Sequence, residues 1–183
     1  MTRLALTCQL VGVGVLAARL PGVLAPASFR RYALAFPRSV WWGRILMIAV
    51  AGWAGWWMYQ AVPDDWKWAA QIRSLVVMGV PLAYWLVIQY AEQFLALRSV
   101  AALLLLVAKL LVSAADSSDS PWRVVVHVLA YLWVVAGIWM AIAPHHFRDL
   151  IRLVMANDQR CRLACALGAA VGAALIALGW WVY

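Results

Sequence analysis

The chain has 183 residues, 67% of them hydrophobic and 12% charged, with a formal net charge of +8 and a mean hydropathy of +0.86. An ordinary soluble domain is about one quarter charged. Half that share over this length excludes a water-soluble fold able to hide its apolar surface and leaves a polytopic membrane protein. The basic surplus does not point to nucleic acid, because Lys and Arg gather in loops between apolar segments, where they orient spans and meet anionic lipid headgroups.

A span needs about 20 residues to cross the hydrocarbon, which gives room for about six helices. The first runs from Leu4 to Leu24. It reads as a retained span rather than a signal peptide, because the chain holds an internal counterpart of it. An amphipathic stretch, Pro26 to Arg38, carries Arg30, Arg31 and Arg38 among Phe29, Tyr32, Leu34 and Phe36. Pro26 suits a first helical turn, where its missing N–H costs nothing. The second span covers Trp41 to Val62 and ends at Pro63-Asp64-Asp65; Trp66-Lys67-Trp68 then opens an interfacial stretch leading to Arg73. The third, Ser74 to Gln93, holds Pro81 as an expected kink. A tight turn is expected from Glu92 to Arg98 and a fourth span from Ser99 to Ala115. The polar run Asp116 to Pro121 precedes a fifth, Trp122 to Ala143. A second amphipathic stretch, Pro144 to Asn157, leads to Arg160, Arg162 and a last span reaching Tyr183.

Charge assigns the sides. The loops after spans one and five are rich in Arg, whereas those after spans two and four carry Asp64, Asp65, Asp116 and Asp119. Excess Lys and Arg mark the cytoplasmic face, so both termini are expected in the periplasm, against the lone Arg3. Trp57, Trp66, Trp68, Trp122, Trp180 and Trp181 then form an outer aromatic belt, with Trp41 and Trp42 at the inner interface.

Ala25-Pro26-Ala27-Ser28-Phe29-Arg30 recurs as Ala143-Pro144-His145-His146-Phe147-Arg148, and the same register lays Arg44 on Arg162 and Ala18 on Ala136. Residues 4–62 and 122–183 therefore read as two copies of one hairpin, related by a parallel repeat, with 74–115 as a middle hairpin in a single membrane domain. The order apolar span, Pro-x-x-Phe-Arg-Arg, amphipathic segment, Arg, Gly-containing span resembles the small YjeT-type inner-membrane hairpin proteins of bacteria. Pro26, Phe29, Arg30, Arg31 and Arg44 carry the resemblance in the first copy; Pro144, Phe147, Arg148 and Arg162 carry it in the second, where Asp149 replaces the second arginine. The resemblance covers about half the chain and implies a bacterial inner-membrane location with no known activity.

Few residues carry chemistry. Lys109, ten residues from the start of span four and six from its end, is either a functional intramembrane charge or a lysine snorkelling outward. By depth its candidate partners are His127, Tyr131 and Tyr84. His127 has no second intramembrane histidine for haem ligation and is expected to bond a neighbouring helix. Cys161 and Cys165, one turn apart near His145 and His146, offer thiolate and imidazole ligands but lack the usual CxxC spacing. The three cysteines make no disulfide framework, since Cys8 lies at the opposite face from the other two. Gly168-x-x-x-Gly172 is a small-residue contact pattern for close helix packing. No Walker loop, nucleophile elbow, HExxH or paired intramembrane carboxylate is present.

The sequence thus predicts an all-α polytopic integral membrane protein. It would have six transmembrane helices in three hairpins and two interfacial amphipathic helices, without metal or cofactor. The expected role is that of a non-enzymatic structural or accessory component, in contact with lipid headgroups and with membrane partners or a second copy of itself. The alternative is a small channel or transporter for an anionic solute, with Lys109, His127 and Tyr131 on its path and the arginines at its rim.

Overall fold

The computed structural model describes residues 2–90 and 95–182, apart from the side chains of Arg38 and Tyr90. Among these residues the chain is helical with no strand. Its elements are α1 (Arg3–Leu24), α2 (Pro26–Ala35), a 3-10 turn (Phe36–Arg38), α3 (Val40–Gln60), α4 (Ala69–Tyr90), α5 (Leu95–Asp116), α6 (Arg123–Ile142), α7 (Pro144–Val154) and α8 (Asp158–Trp181). Five helices, α1, α4, α5, α6 and α8, are long and apolar enough to cross a membrane. The sixth long helix, α3, is dense in Trp, whose ring is large and apolar but carries a polar N–H, and this moderates its hydropathy.

Local chemistry sets the boundaries. The Thr2 hydroxyl caps α1 by accepting from the Ala5 N–H at 3.2 Å, and Ser39 caps α3 by accepting from the Trp42 N–H at 3.4 Å. Helix α1 stops at Ala25 and α6 at Ala143, each followed by proline, which disfavours helical backbone in the residue before it. The two corners share one geometry: Ala25 has φ −133° and ψ 67°, and Ala143 has φ −125° and ψ 64°. Each alanine N–H still bonds back four residues at 2.9 Å, to Pro21 and to Trp139.

Two expected boundaries move. Helix α4 begins at Ala69 rather than Ser74, because Trp66 and Trp68 supply carbonyls to Ala69 and Ile72 at 3.0 and 2.9 Å, so the interfacial turn runs straight into the helix. Leu95–Arg98, expected in a turn, belong to α5. The rest of that turn, with the ends expected at Gln93 and Tyr183, lies outside the described residues. Pro81 sits inside a continuous α4.

Helix α3 lies between α4 and α5, α5 packs along α6 and touches α1, and α1 runs along α8. Each copy of the repeat thus spreads its two long helices over different neighbours. Glycines draw α1 and α8 together: a Cβ on Gly12 would stand 2.7 Å from the Gly172 carbonyl oxygen, and one on Gly179 2.8 Å from that of Ala5. Such small residues let backbones approach where apolar contrast with lipid cannot drive association. Between α3 and α5, the buried Ser99 hydroxyl shares its one proton between the carbonyls of Gly43 at 3.0 Å and Leu95 at 2.8 Å. One buried cluster, with Leu4, Cys8, Leu111, Val126 and Leu175, occupies one end of the bundle. Two others lie toward the opposite end, around Leu97, Ala101 and Met140 and around Met155, Cys161 and Cys165. Helix α4 contributes no buried residue to its apolar stretch and exposes Leu75, Met78 and Leu82. Apolar surface on that scale suits hydrocarbon rather than water.

Candidate functional site

The two corners place the repeated motif. Beyond Pro26 and Pro144 the chain turns into α2 and α7, and Phe29 and Phe147 pin these short helices to the bundle. Phe29 packs on Met155, Cys161 and Cys165. Phe147 packs on Leu97, Ala101 and Met140 and meets Trp139 edge-on, with ring centroids 6.3 Å apart. Both phenylalanines point inward, and the next residue in each copy is an arginine.

Those arginines converge. Helices α2 and α7 touch each other and both rest on α8, and a cavity of about 390 Å³ lies between them, lined by Arg30, Leu34, Pro37, Arg148, Arg152 and Met155 among others. In the register of the repeat these are three aligned pairs: Arg30 with Arg148, Leu34 with Arg152 and Pro37 with Met155. Arg30 Nη1 lies 3.2 Å from Asp158 Oδ1 and 3.3 Å from the Ala156 carbonyl oxygen. Asp149 Oδ1 lies 3.5 Å from Arg148 Nε and 3.7 Å from Arg152 Nη1. Among the described residues these three guanidinium groups face two carboxylates, and both Asp149 contacts exceed the usual N–H···O distance of about 3.2 Å. The other motif residues lie apart from the cavity lining: Arg44 is exposed in the second turn of α3 and Arg162 in the second turn of α8.

Lys109 lies elsewhere. It is seven residues before the end of α5 at Asp116, hence about 10 Å from that end. Its ammonium stands over the Trp57 ring, 4.4 Å from the centroid, and Trp57 is three residues before the end of α3. The stem thus extends toward the end of the bundle that carries Asp64 and Asp116, in a cation–π contact of about 0.5–2 kcal/mol. Among the described residues no hydrogen bond or ring contact joins Lys109 to His127, Tyr131 or Tyr84.

His127 bonds a neighbouring helix. Its Nε2 is 2.9 Å from Asp116 Oδ1 at the end of α5, and its Nδ1 is 2.9 Å from the Arg123 carbonyl oxygen. Tyr131 stacks on it at 6.5 Å. Arg123 Nη1 donates to the Ser118 carbonyl at 3.0 Å, so these groups fasten the α5–α6 turn. At the α3–α4 turn Arg73 does the same, pairing with Asp64 at 2.6 Å, donating to the Val62 carbonyl at 2.9 Å and lying over Tyr59.

The Cys161 thiol donates to the Pro26 carbonyl at 3.9 Å and is buried beside Cys165. The rings of His145 and His146 lie tilted by 42° with centroids 4.2 Å apart on the exposed start of α7. Among the described residues no group of three or more His, Cys, Asp or Glu is arranged to hold a metal ion.

Arg152 and Asp158 are the site residues that motif reasoning missed, while Asp149 stood out only as the replacement of the second motif arginine. The signal was available, because Arg152 lies one helical turn beyond Arg148 and is the aligned partner of Leu34. Compared with family models, curated proteins and solved structures, the chain matches none.

Proposed function

We propose that the chain is a non-enzymatic protein of a bacterial inner membrane. Its six long helices span the bilayer, both termini are periplasmic, and α2 and α7 lie along the cytoplasmic interface. It acts as an accessory component that packs with membrane partners and engages anionic headgroups. The observation that carries this reading is the partition of charge between the two ends of the bundle. Arg30, Arg31, Arg148, Arg152, Arg160 and Arg162 outnumber Asp149 and Asp158 at the end formed by α2, α7 and the start of α8, whereas the turns at the other end set Asp64, Asp65, Asp116 and Asp119 against Lys67, Arg73 and Arg123. Excess arginine marks the cytoplasmic side. The amphipathic character of α2 and α7 and the exposed apolar face of α4 agree with it. The resemblance to YjeT-type hairpin proteins rests on the motif residues alone and points to the same membrane.

The test is a C-terminal alkaline phosphatase fusion, active only in the periplasm, compared with a C-terminal green fluorescent protein fusion, which fluoresces only in the cytoplasm. The reading expects phosphatase activity without fluorescence, in a fraction that survives carbonate washing. Fluorescence, or release by carbonate, would contradict it. The transporter alternative draws less support, since the Lys109 ammonium lies over the Trp57 ring and not beside His127 or Tyr131.

A further inference from the structure

We propose that the cavity between α2 and α7 is a binding site for a phosphate ester, gripped by Arg30, Arg148 and Arg152. The assignment deepens the function proposed above and rests on its placement of these helices at an interface.

The cavity is built by the repeat itself. Equivalent arginines, Arg30 and Arg148, reach it from the two copies, and the register that aligns them also aligns the apolar Pro37 and Met155 on its wall. Guanidinium is the side-chain group best matched to phosphate, because its planar fork of N–H donors meets two oxygens at once and it remains charged at any physiological pH. Arg30 uses one terminal nitrogen for both Asp158 and Ala156. Arg152 approaches Asp149 through one nitrogen at 3.7 Å. The guanidinium groups of Arg30 and Arg152 each carry five N–H donors, more than those contacts engage. The arginine side chains are 37%, 31% and 50% exposed for Arg30, Arg148 and Arg152, so an arriving ligand reaches them without unfolding the helices.

Charge and size agree. Among the described residues Arg30, Arg148 and Arg152 share this wall, and phosphate is the anion their guanidinium groups suit. At about 390 Å³ the cavity lies in the usual ligand-pocket range and exceeds what an inorganic ion fills. An ester carrying a glycerol-sized group fits better. Leu34, Pro37 and Met155 offer apolar wall to that group. The phosphate could belong to a bilayer lipid or to a soluble metabolite, and the shared chemistry is the same.

The experiment is native mass spectrometry of the detergent-purified full chain with three probes. These are phosphatidylglycerol, diacylglycerol (the same chains without phosphate) and glycerol 3-phosphate (phosphate without chains). Wild type is expected to bind phosphatidylglycerol in preference to diacylglycerol. The triple variant R30Q/R148Q/R152Q should bind it about tenfold more weakly, the loss of one charge-assisted contact or more. The control R31Q/R98Q/R160Q removes the same net charge outside the cavity lining and should change binding less than about twofold. Competition by glycerol 3-phosphate identifies a soluble ester as the occupant, and its absence a lipid. Equal loss in both triples, no loss in the first, or equal binding of diacylglycerol would overturn the proposal. If the first triple does not elute as a folded species, R152Q against R160Q decides, with about threefold weakening expected for R152Q alone and no difference between them overturning the site. Because binding is read in detergent, a failure here is separable from a failure of the membrane topology.

Discussion

The two copies of the repeat turn the same corner but fill the space beside it in opposite ways. Seven residues before the motif phenylalanine, the first copy has Gly22 and the second Met140, and both positions are buried. A Cβ at Gly22 would strike the Cys165 sulfur and stand 3.0 Å from the Phe29 ring, so α8 is admitted to van der Waals contact with α1. Met140 instead supplies volume, filling the gap against Leu97, Ala101 and Phe147. One sequence pattern therefore serves two packing solutions. The corner is set by proline, while the neighbour is chosen by the size of a single side chain.

That comparison can be broken most severely by making the first copy resemble the second. Gly22→Met would force α1 from α8 and should cost about 3 kcal/mol, the upper end of overpacking, read as loss of monodisperse protein in detergent. The reverse change, Met140→Ala, leaves a void beside Phe147 and should cost about 2–3 kcal/mol in unfolding titrations. Phe29→Ala and Phe147→Ala remove the two anchors, each only partly buried. About half the 3–5 kcal/mol of a fully buried phenylalanine is expected, with local loosening of α2 or α7 seen by faster amide exchange. Gly14 faces open space, unlike Gly12 two residues before it. Gly14→Val should therefore change stability by less than about 0.5 kcal/mol, whereas Gly12→Val should act like Gly22→Met. Lys109→Leu should have the smallest net effect. It loses a cation–π contact of about 0.5–2 kcal/mol but removes a charge from an apolar helix, so thermal stability should stay near wild type.

Much of the fold was legible because its signals are local. Alanine followed by proline ends α1 and α6, and phenylalanines set among arginines mark α2 and α7. The pairing of α1 with α8 was not legible. In a membrane protein the face toward a partner helix and the face toward lipid are both apolar, so periodicity does not distinguish them; only the glycines did, and these do not name their partner. Lys109, six residues from the expected end of its span, was visible as a charge in an apolar helix, but its contact with Trp57 depends on α3 and α5 packing side by side. His127 was expected to bond a neighbouring helix, but its acceptor, Asp116, emerges only when α5 and α6 are set side by side. For the candidate site, Arg30 and Arg148 were visible as a repeated motif. Their meeting in one cavity with Arg152 depends on α2 and α7 touching, which no spacing encodes.

The central claim is that both copies of the motif turn at the same membrane face. It is tested most directly by labelling single cysteines at Ser28 and His146, aligned and exposed positions of the two copies, in a background lacking Cys8, Cys161 and Cys165. Asp65 and Asp119 serve as opposite-face positions. With a membrane-impermeant maleimide, residues 28 and 146 should both react in inverted vesicles and neither in intact spheroplasts, while 65 and 119 show the reverse. Labelling of 28 and 146 from opposite sides, or of both from the outside, would contradict the account.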